Sequence, residues 1–328
     1  MSEARVVALL SGGLDSTLAA RILQQQGVEV HGLNVRPVFG ASDDAARAAA
    51  ELLGVPLDVR DVGDDYLVML RHPRYGYGRG MNPCVDCRIY MARIARQRML
   101  ELEACAVVSG EVLGQRPMSQ RRHDLAAVAQ HAELEDRLLR PLSAKRLAPT
   151  IPEREGLIDR ERLYAFTGRG RRPLLDLAKR LGVPPSVGPA GGCPLTEPLF
   201  ARKVRDLFRH RAEPTRFEFD LLPVGKHFRY DAETKIVAGW NERENAQIRA
   251  MAARPDCPDV ALLHPESFPG PDAMVIGRIS SEAIGAAAAL IVRRGRPNPA
   301  APPCATVTRA GRRHTIHPSP TADPVKRL

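Results

Sequence analysis

The chain has 328 residues, 44% of them apolar and 26% charged, which fits an ordinary soluble globular protein with room for two domains. Its longest apolar run, Ala283 to Val292, is too short for the ~20 residues of a membrane helix, and the first strand begins within five residues of Met1, so no signal peptide is expected. A formal net charge of +10 and a pI near 9.7 favour polyanionic partners.

Six cysteines in a chain read as cytoplasmic suggest metal or redox chemistry more than a disulfide framework. The basic residues thicken toward the end. From Ala286 to Leu328 there are eight Lys or Arg against the one acid Asp323, an electrostatic footprint or a solvated tail.

Val6 to Leu10 reads as a buried strand, and Leu18 to Gln26, closed by Gly27, as a helix. Between them lies Ser11-Gly12-Gly13-Leu14-Asp15-Ser16-Thr17. Two glycines let a ligand approach the backbone, the hydroxyls add donors, and a helix N-terminus favours an anion such as pyrophosphate. No lysine is present, so this is not a Walker loop. Val28 to Val35 and Pro56 to Val62 read as further strands. A helix capped by Ser42 runs between them to Leu53, with Gly54 past its end. Such alternation predicts a parallel sheet with ligands at the carboxyl edge, where Asn34 and Arg36 also end the second strand.

A glycine-bearing loop, His72 to Pro83, opens into Cys84-Val85-Asp86-Cys87 and a helix to about Glu103. The helix start is expected to lower the thiol pKa of the Cys84 and Cys87 pair. Cys105 to Val108 reads as a strand whose cysteine belongs to the core. It leads into Ser109-Gly110-Glu111-Val112-Leu113-Gly114-Gln115-Arg116-Pro117-Met118-Ser119-Gln120, where Arg116, Arg121 and Arg122 are candidate phosphate ligands or solvated surface arginines. Leu138 to Leu142 is a possible strand, and Arg160 to Phe166 and Pro173 to Leu181 read as short helices. The irregular stretch Pro184 to Thr196 presents Cys193 among small residues. A boundary is expected near 208/209. Beyond it, Phe217 to Asp220 and Lys226 to Tyr230 alternate as strands, Lys235 to Gly239 continues that pattern, Glu242 to Ala252 reads as a helix, and Thr306 to His317 as a hairpin. Cys257 and Cys304 receive no role.

The string Ser11 to Thr17 resembles the PP-loop of the ATP pyrophosphatase family, and Gly110 to Gln120 resembles a segment of its thiolating members. The resemblance implies a doubly wound α/β sheet of the adenine nucleotide alpha hydrolase type with a second, smaller α+β domain. It implies that ATP is cut between its α and β phosphates, with AMP passed to a carbonyl oxygen. Ser11, Gly12, Gly13, Asp15, Ser16 and Thr17 would hold the nucleotide with Asn34, Gly110 and Gln115, and Asp15 would help place Mg²⁺. Cys84 and Cys87 with the distant Cys193 resemble the cysteine set of PP-loop tRNA sulfurtransferases. That set implies a 4Fe–4S cluster on three thiolates with one iron open to sulfur. A persulfide route through these cysteines competes.

Residues 225–248 and 270–273 resemble an NFACT-R type RNA-binding domain through an aromatic-basic strand, a strand ending in Gly239-Trp240-Asn241, and a helix. The expected organisation is thus a sulfurtransferase domain at 1–208 and an RNA-binding domain at 209–328. The expected reaction is ATP-dependent tRNA thiolation, with an external sulfur donor such as sulfide or a cysteine-desulfurase-derived persulfide. Asp15, Cys84, Cys87 and Cys193 carry the chemistry. The rivals are a PP-loop synthetase with an amine nucleophile and a non-catalytic ATP-binding RNA adaptor.

Overall fold

In the computed structural model, which describes residues 4–39, 42–184, 192–318 and 325–328, alternation along one short strand sets the architecture. β1 (Arg5–Leu9) turns Val6 and Ala8 to one side and Val7 to the other, and all three are buried. Val6 and Ala8 join a core built with α1 (Leu14–Gln24), α2 (Asp44–Leu53) and, from later in the chain, α7 (Arg172–Arg180). Val7 joins a second core with α3 (Asp64–Arg71), α4 (Cys84–Glu101) and α5 (Arg122–His131). A sheet buried on both faces is what parallel βαβ crossovers produce.

β2 (Glu29–Arg36), β3 (Leu57–Asp61), β4 (Ala106–Val108) and β5 (Leu138–Leu139) complete a five-stranded parallel sheet in the order β3-β2-β1-β4-β5. The order reverses between β1 and β4. Ligands of open α/β sheets bind in the crevice at such a reversal, beyond the carboxyl ends of the strands. The loops that leave β1 and β4 are 10–13 and 109–121.

Several elements differ from expectation. Asp64–Arg71 is a helix where the sequence offered no clear pattern; its Tyr66, Leu67 and Leu70 are buried. α2 is capped at Asp43, not Ser42, whose hydroxyl bonds Asp44 Oδ2 at 2.6 Å. Arg160 to Phe166 is not a helix beyond one short turn at Arg160–Arg162. Its latter half is extended, with the Tyr164 and Phe166 N–H groups donating to Pro141 and Leu142 carbonyls at 2.9 and 2.8 Å. α6 (Ile151–Arg154) precedes that turn.

The chain divides into two units, Met1–Thr196 and Glu197–Leu328. The second begins with α8 (Pro198–His210), twelve residues earlier than the 208/209 boundary expected from sequence. The reason is pairing: Asp206 of α8 binds Arg229, and Phe208 meets Phe219 edge-on at 5.9 Å. α9 (Arg216–Leu221) replaces the strand expected from Phe-Glu-Phe-Asp alternation. A reciprocal cap between Thr215 and Glu218 starts a helix there, and that local signal overrides the period-two pattern.

The second unit is a seven-stranded antiparallel sheet. Its strands are β6 (Lys226–Arg229), β7 (Thr234–Ala238), β8 (Val260–Pro265), β9 (Ala273–Gly277), β10 (Ala305–Arg309), β11 (Arg312–Ile316) and β12 (Lys326–Arg327). α10 (Glu242–Ala252) and α11 (Ser281–Arg294) pack into separate cores. No helix among the described residues is long and apolar enough to cross a membrane.

Candidate functional site

The loop after β1 is shaped by its own hydroxyls. Ser16 Oγ and Thr17 Oγ1 both donate to the Gly13 carbonyl, at 2.9 and 3.1 Å, and Ser11 N donates to Ser16 Oγ at 3.3 Å. In the free chain these hydroxyls therefore hold the turn instead of standing open. The backbone N–H groups at the start of α1 have no side-chain cap, which leaves the helix end available to an anion.

Gly12 sits at φ +76°, and a Cβ there would lie 2.2 Å from the Ala45 carbonyl carbon of α2. Gly110 is packed against the loop: a Cβ would stand 2.5 Å from Asp15 C and Ser16 N. Gly110→Ala is thus expected to destabilise the fold by about 1–3 kcal/mol through overpacking, checked by urea denaturation.

Asp15 is the polar centre. Its Oδ2 accepts from Gln115 Nε2 at 3.0 Å. Its Oδ1 is buried with no hydrogen-bond partner. A buried carboxylate oxygen without a donor is costly, and a cation placed there satisfies it. Asn34 Nδ2 donates to the Leu10 carbonyl at 2.8 Å, fixing the entry to the loop from β2. The nine residues expected around a nucleotide therefore gather at one sheet edge; Asn34, Gly110 and Gln115 reach it by holding the loop. Such an edge fits ATP·Mg²⁺, because it combines an uncapped helix end with an unsatisfied carboxylate oxygen.

A buried ion network stands beside it. Glu111 accepts from Arg140 Nε at 2.8 Å, from Ser109 Oγ at 3.1 Å and from Arg88. Burial pushes the Glu111 carboxyl up, but Arg88 and Arg140 outweigh it and hold the group at about 2. The guanidinium of Arg116 interacts electrostatically with Arg88, Cys84, Asp15 and Glu111. One arginine therefore acts electrostatically on both the Asp15 carboxylate and Cys84.

Cys84 and Cys87 occupy the first turn of α4. Asp86 between them accepts the Arg74 and Tyr75 N–H groups at 3.0 Å each, tying down the loop that precedes the helix. The same loop is joined to the third cysteine: Met81 N donates to the Leu195 carbonyl at 2.8 Å. Leu195 lies in a short turn, Pro194–Thr196, whose Thr196 N–H and hydroxyl both donate to the Cys193 carbonyl. As a result Cys193 interacts electrostatically with Cys84 and Cys87. The remainder of that stretch, 185–191, with Ala190 and Gly191, lies outside the described residues.

The expectation of depressed thiol pKa values is corrected by the structure. Burial raises all three thiols. It lifts Cys84 against the opposing Arg88 and Arg116, and Cys87 to about 11 against the Tyr66 hydroxyl. Loss of hydration outweighs the helix end, and neighbouring thiolates repel one another. The thiols of the free chain therefore give up their protons less readily than an ordinary cysteine. Tyr66 O–H donates to Cys87 Sγ at 3.3 Å and was not legible in the sequence, because its helix was not.

In type and number the three donors fit a soft metal centre, which binds by replacing thiol protons. Among the described residues, no group of three or more His, Cys, Asp or Glu side chains stands close enough to hold a metal ion.

Residues 1–146 match the family model described as thiamine biosynthesis protein (ThiI), and residues 225–320 match the NFACT protein RNA binding domain. The chain is 30% identical over 127 residues to the tRNA-specific 2-thiouridylase MnmA of Amoebophilus asiaticus, covering 33% of this chain and 34% of the relative. It is 40% identical over 99 residues to the MnmA of Flavobacterium johnsoniae, covering 25% of each. The matches thus span about a third or less of these relatives. Among solved structures, the chain is similar to a 4-thiouridine synthetase in complex with RNA and bound ATP. That likeness has 20% identity and a TM-score of 0.39, and covers 67% of this chain and 51% of the other.

Proposed function

We propose that this chain thiolates tRNA at the expense of ATP. A nucleobase carbonyl oxygen attacks the α-phosphorus, and pyrophosphate departs. Sulfide then adds at the activated carbon, and AMP leaves with the original oxygen. The Ser11 to Thr17 loop and the start of α1 receive the pyrophosphate. Asp15, oriented by Gln115, would hold Mg²⁺, which neutralises the leaving group when bound. Arg116 offers positive charge within electrostatic reach of both Asp15 and Cys84. Cys84, Cys87 and Cys193 are half-buried, which limits the access of water to a sulfur-carrying centre.

The cysteines would hold a 4Fe–4S cluster, whose chemistry when bound is to present sulfur at an open iron. The second unit would bind RNA, with affinity that falls steeply with salt.

The reading is carried by one observation: the Met81–Leu195 backbone bond draws Cys193 to the Cys84 loop, within electrostatic reach of Arg116, which also acts on Asp15. The test is anaerobic purification with iron and labile-sulfide analysis of the full chain and of Cys84→Ala, Cys87→Ala and Cys193→Ala. The reading expects about four irons per chain, lost in each variant. Full iron content in all three variants would remove the cysteines from that role. Iron-free protein that releases pyrophosphate with an amine acceptor would favour an amidating synthetase.

A further inference from the structure

Trp240 is the only tryptophan of the chain, and it is 60% exposed. Tryptophan is enriched at binding interfaces, where its ring supplies a large apolar contact and its N–H a polar one. Its backbone is fixed on both sides. Gly239 N donates to the Asp272 carbonyl at 3.0 Å at the end of β7, and Asn241 Oδ1 accepts from Glu244 N at 2.9 Å to cap α10. Gly239 itself admits no side chain, since a Cβ would fall 2.0 Å from Asn245 Oδ1.

Two cations stand against the ring. Lys226 Nζ is 6.0 Å and Arg294 Cζ 5.5 Å from its centroid. Neither forms an ion pair with a carboxylate among the described residues. Lys203, whose ammonium donates to the Leu222 and Gly225 carbonyls at 2.9 and 3.0 Å, interacts electrostatically with Lys226, Arg327 and the acid Glu244. An exposed aromatic ring with two cations over it, neither ion-paired among the described residues, matches one chemistry in particular: a flat, unstacked base joined to phosphates. A double helix buries its base faces and offers nothing to the ring.

We propose that Trp240 is a stacking platform for an unpaired nucleobase of the RNA substrate, with Lys226 and Arg294 taking the adjoining phosphates. This rests on the RNA reading of the second unit and specifies which part of the RNA it grips.

The single tryptophan makes the test direct. Full-length protein is titrated at fixed salt with a 12-nucleotide oligouridylate and with a duplex RNA of equal length. Binding is followed by anisotropy of labelled RNA and by tryptophan emission. The single strand is expected to quench the emission in step with binding, and the duplex is not. Trp240→Ala weakens single-strand binding about 5- to 100-fold, Trp240→Phe retains most of it, and duplex affinity is unchanged in both. Joint Lys226→Ala and Arg294→Ala lowers the single-strand salt slope by roughly 1.4.

Single-strand binding with unchanged emission and equal affinity for Trp240→Ala overturns the platform while leaving thiolation intact, since thionucleoside formation is measured separately. Absence of binding to either RNA overturns the platform together with the RNA reading it rests on.

Discussion

Asp15→Asn is expected to lower tRNA-dependent pyrophosphate release by about 100-fold or more, the usual scale for removing a preorganised electrostatic contact. Asparagine preserves shape, so the loop held by Ser16 and Thr17 should survive. What changes is charge. Oδ1 is buried without a donor, and Oδ2 is already occupied by Gln115. A carboxylate kept in that state needs a cation, and an amide does not supply the same attraction. The measurement is pyrophosphate release at saturating tRNA across a Mg²⁺ series. Excess Mg²⁺ should restore the variant in part. Unchanged release would take Asp15 out of the site. Gln115→Ala should show a smaller loss, because it frees Asp15 without discharging it.

Glu111→Gln is expected to destabilise the first unit by about 3–5 kcal/mol, as removal of one partner from a buried ion pair does. Arg140 is buried and Arg88 mostly so, and both direct their guanidinium groups at this one carboxylate. The same group sets an acid dependence. Glu111 ionises at about 2 in the folded chain against its ordinary 4.5, so the folded state binds the proton more weakly. Its contribution is complete above about pH 4.5 and fades as the pH falls toward 2. Urea denaturation between pH 2 and 7 should show a weaker acid-side decline in Glu111→Gln than in the parent chain. An identical decline would mean that other carboxylates carry it.

Much of this site was legible because its chemistry is written in contiguous strings. Ser11 to Thr17 lies between an apolar run and a helical one, so the order strand, loop, helix needed no tertiary information. Cys84 and Cys87 share one turn of one helix. What stayed hidden depends on distance. The Glu111 network joins α4, the β4 loop and the residue after β5, and no spacing rule predicts a triangle across three elements. Tyr66 reaches Cys87 from α3, whose Asp-Asp-Tyr-Leu-Val-Met-Leu-Arg sequence lacks a strong cap or period. The protonation of the thiols is not written in the sequence, where a helix end is visible and burial is not. In the second unit, Phe217 and Phe219 fit a strand pattern until Thr215 and Glu218 are seen to cap one another. The exposure of Trp240 and its two cations likewise emerges only when β6, β7 and α11 are assembled.

The most direct test of the central claim is nucleoside analysis by mass spectrometry of tRNA incubated anaerobically with the iron-loaded full chain, ATP, Mg²⁺ and sulfide. Thiolation predicts a thionucleoside formed in step with one AMP and one pyrophosphate, absent without ATP. AMP and pyrophosphate accumulating with no sulfur in the tRNA, under conditions where the chain retains its iron, would contradict it.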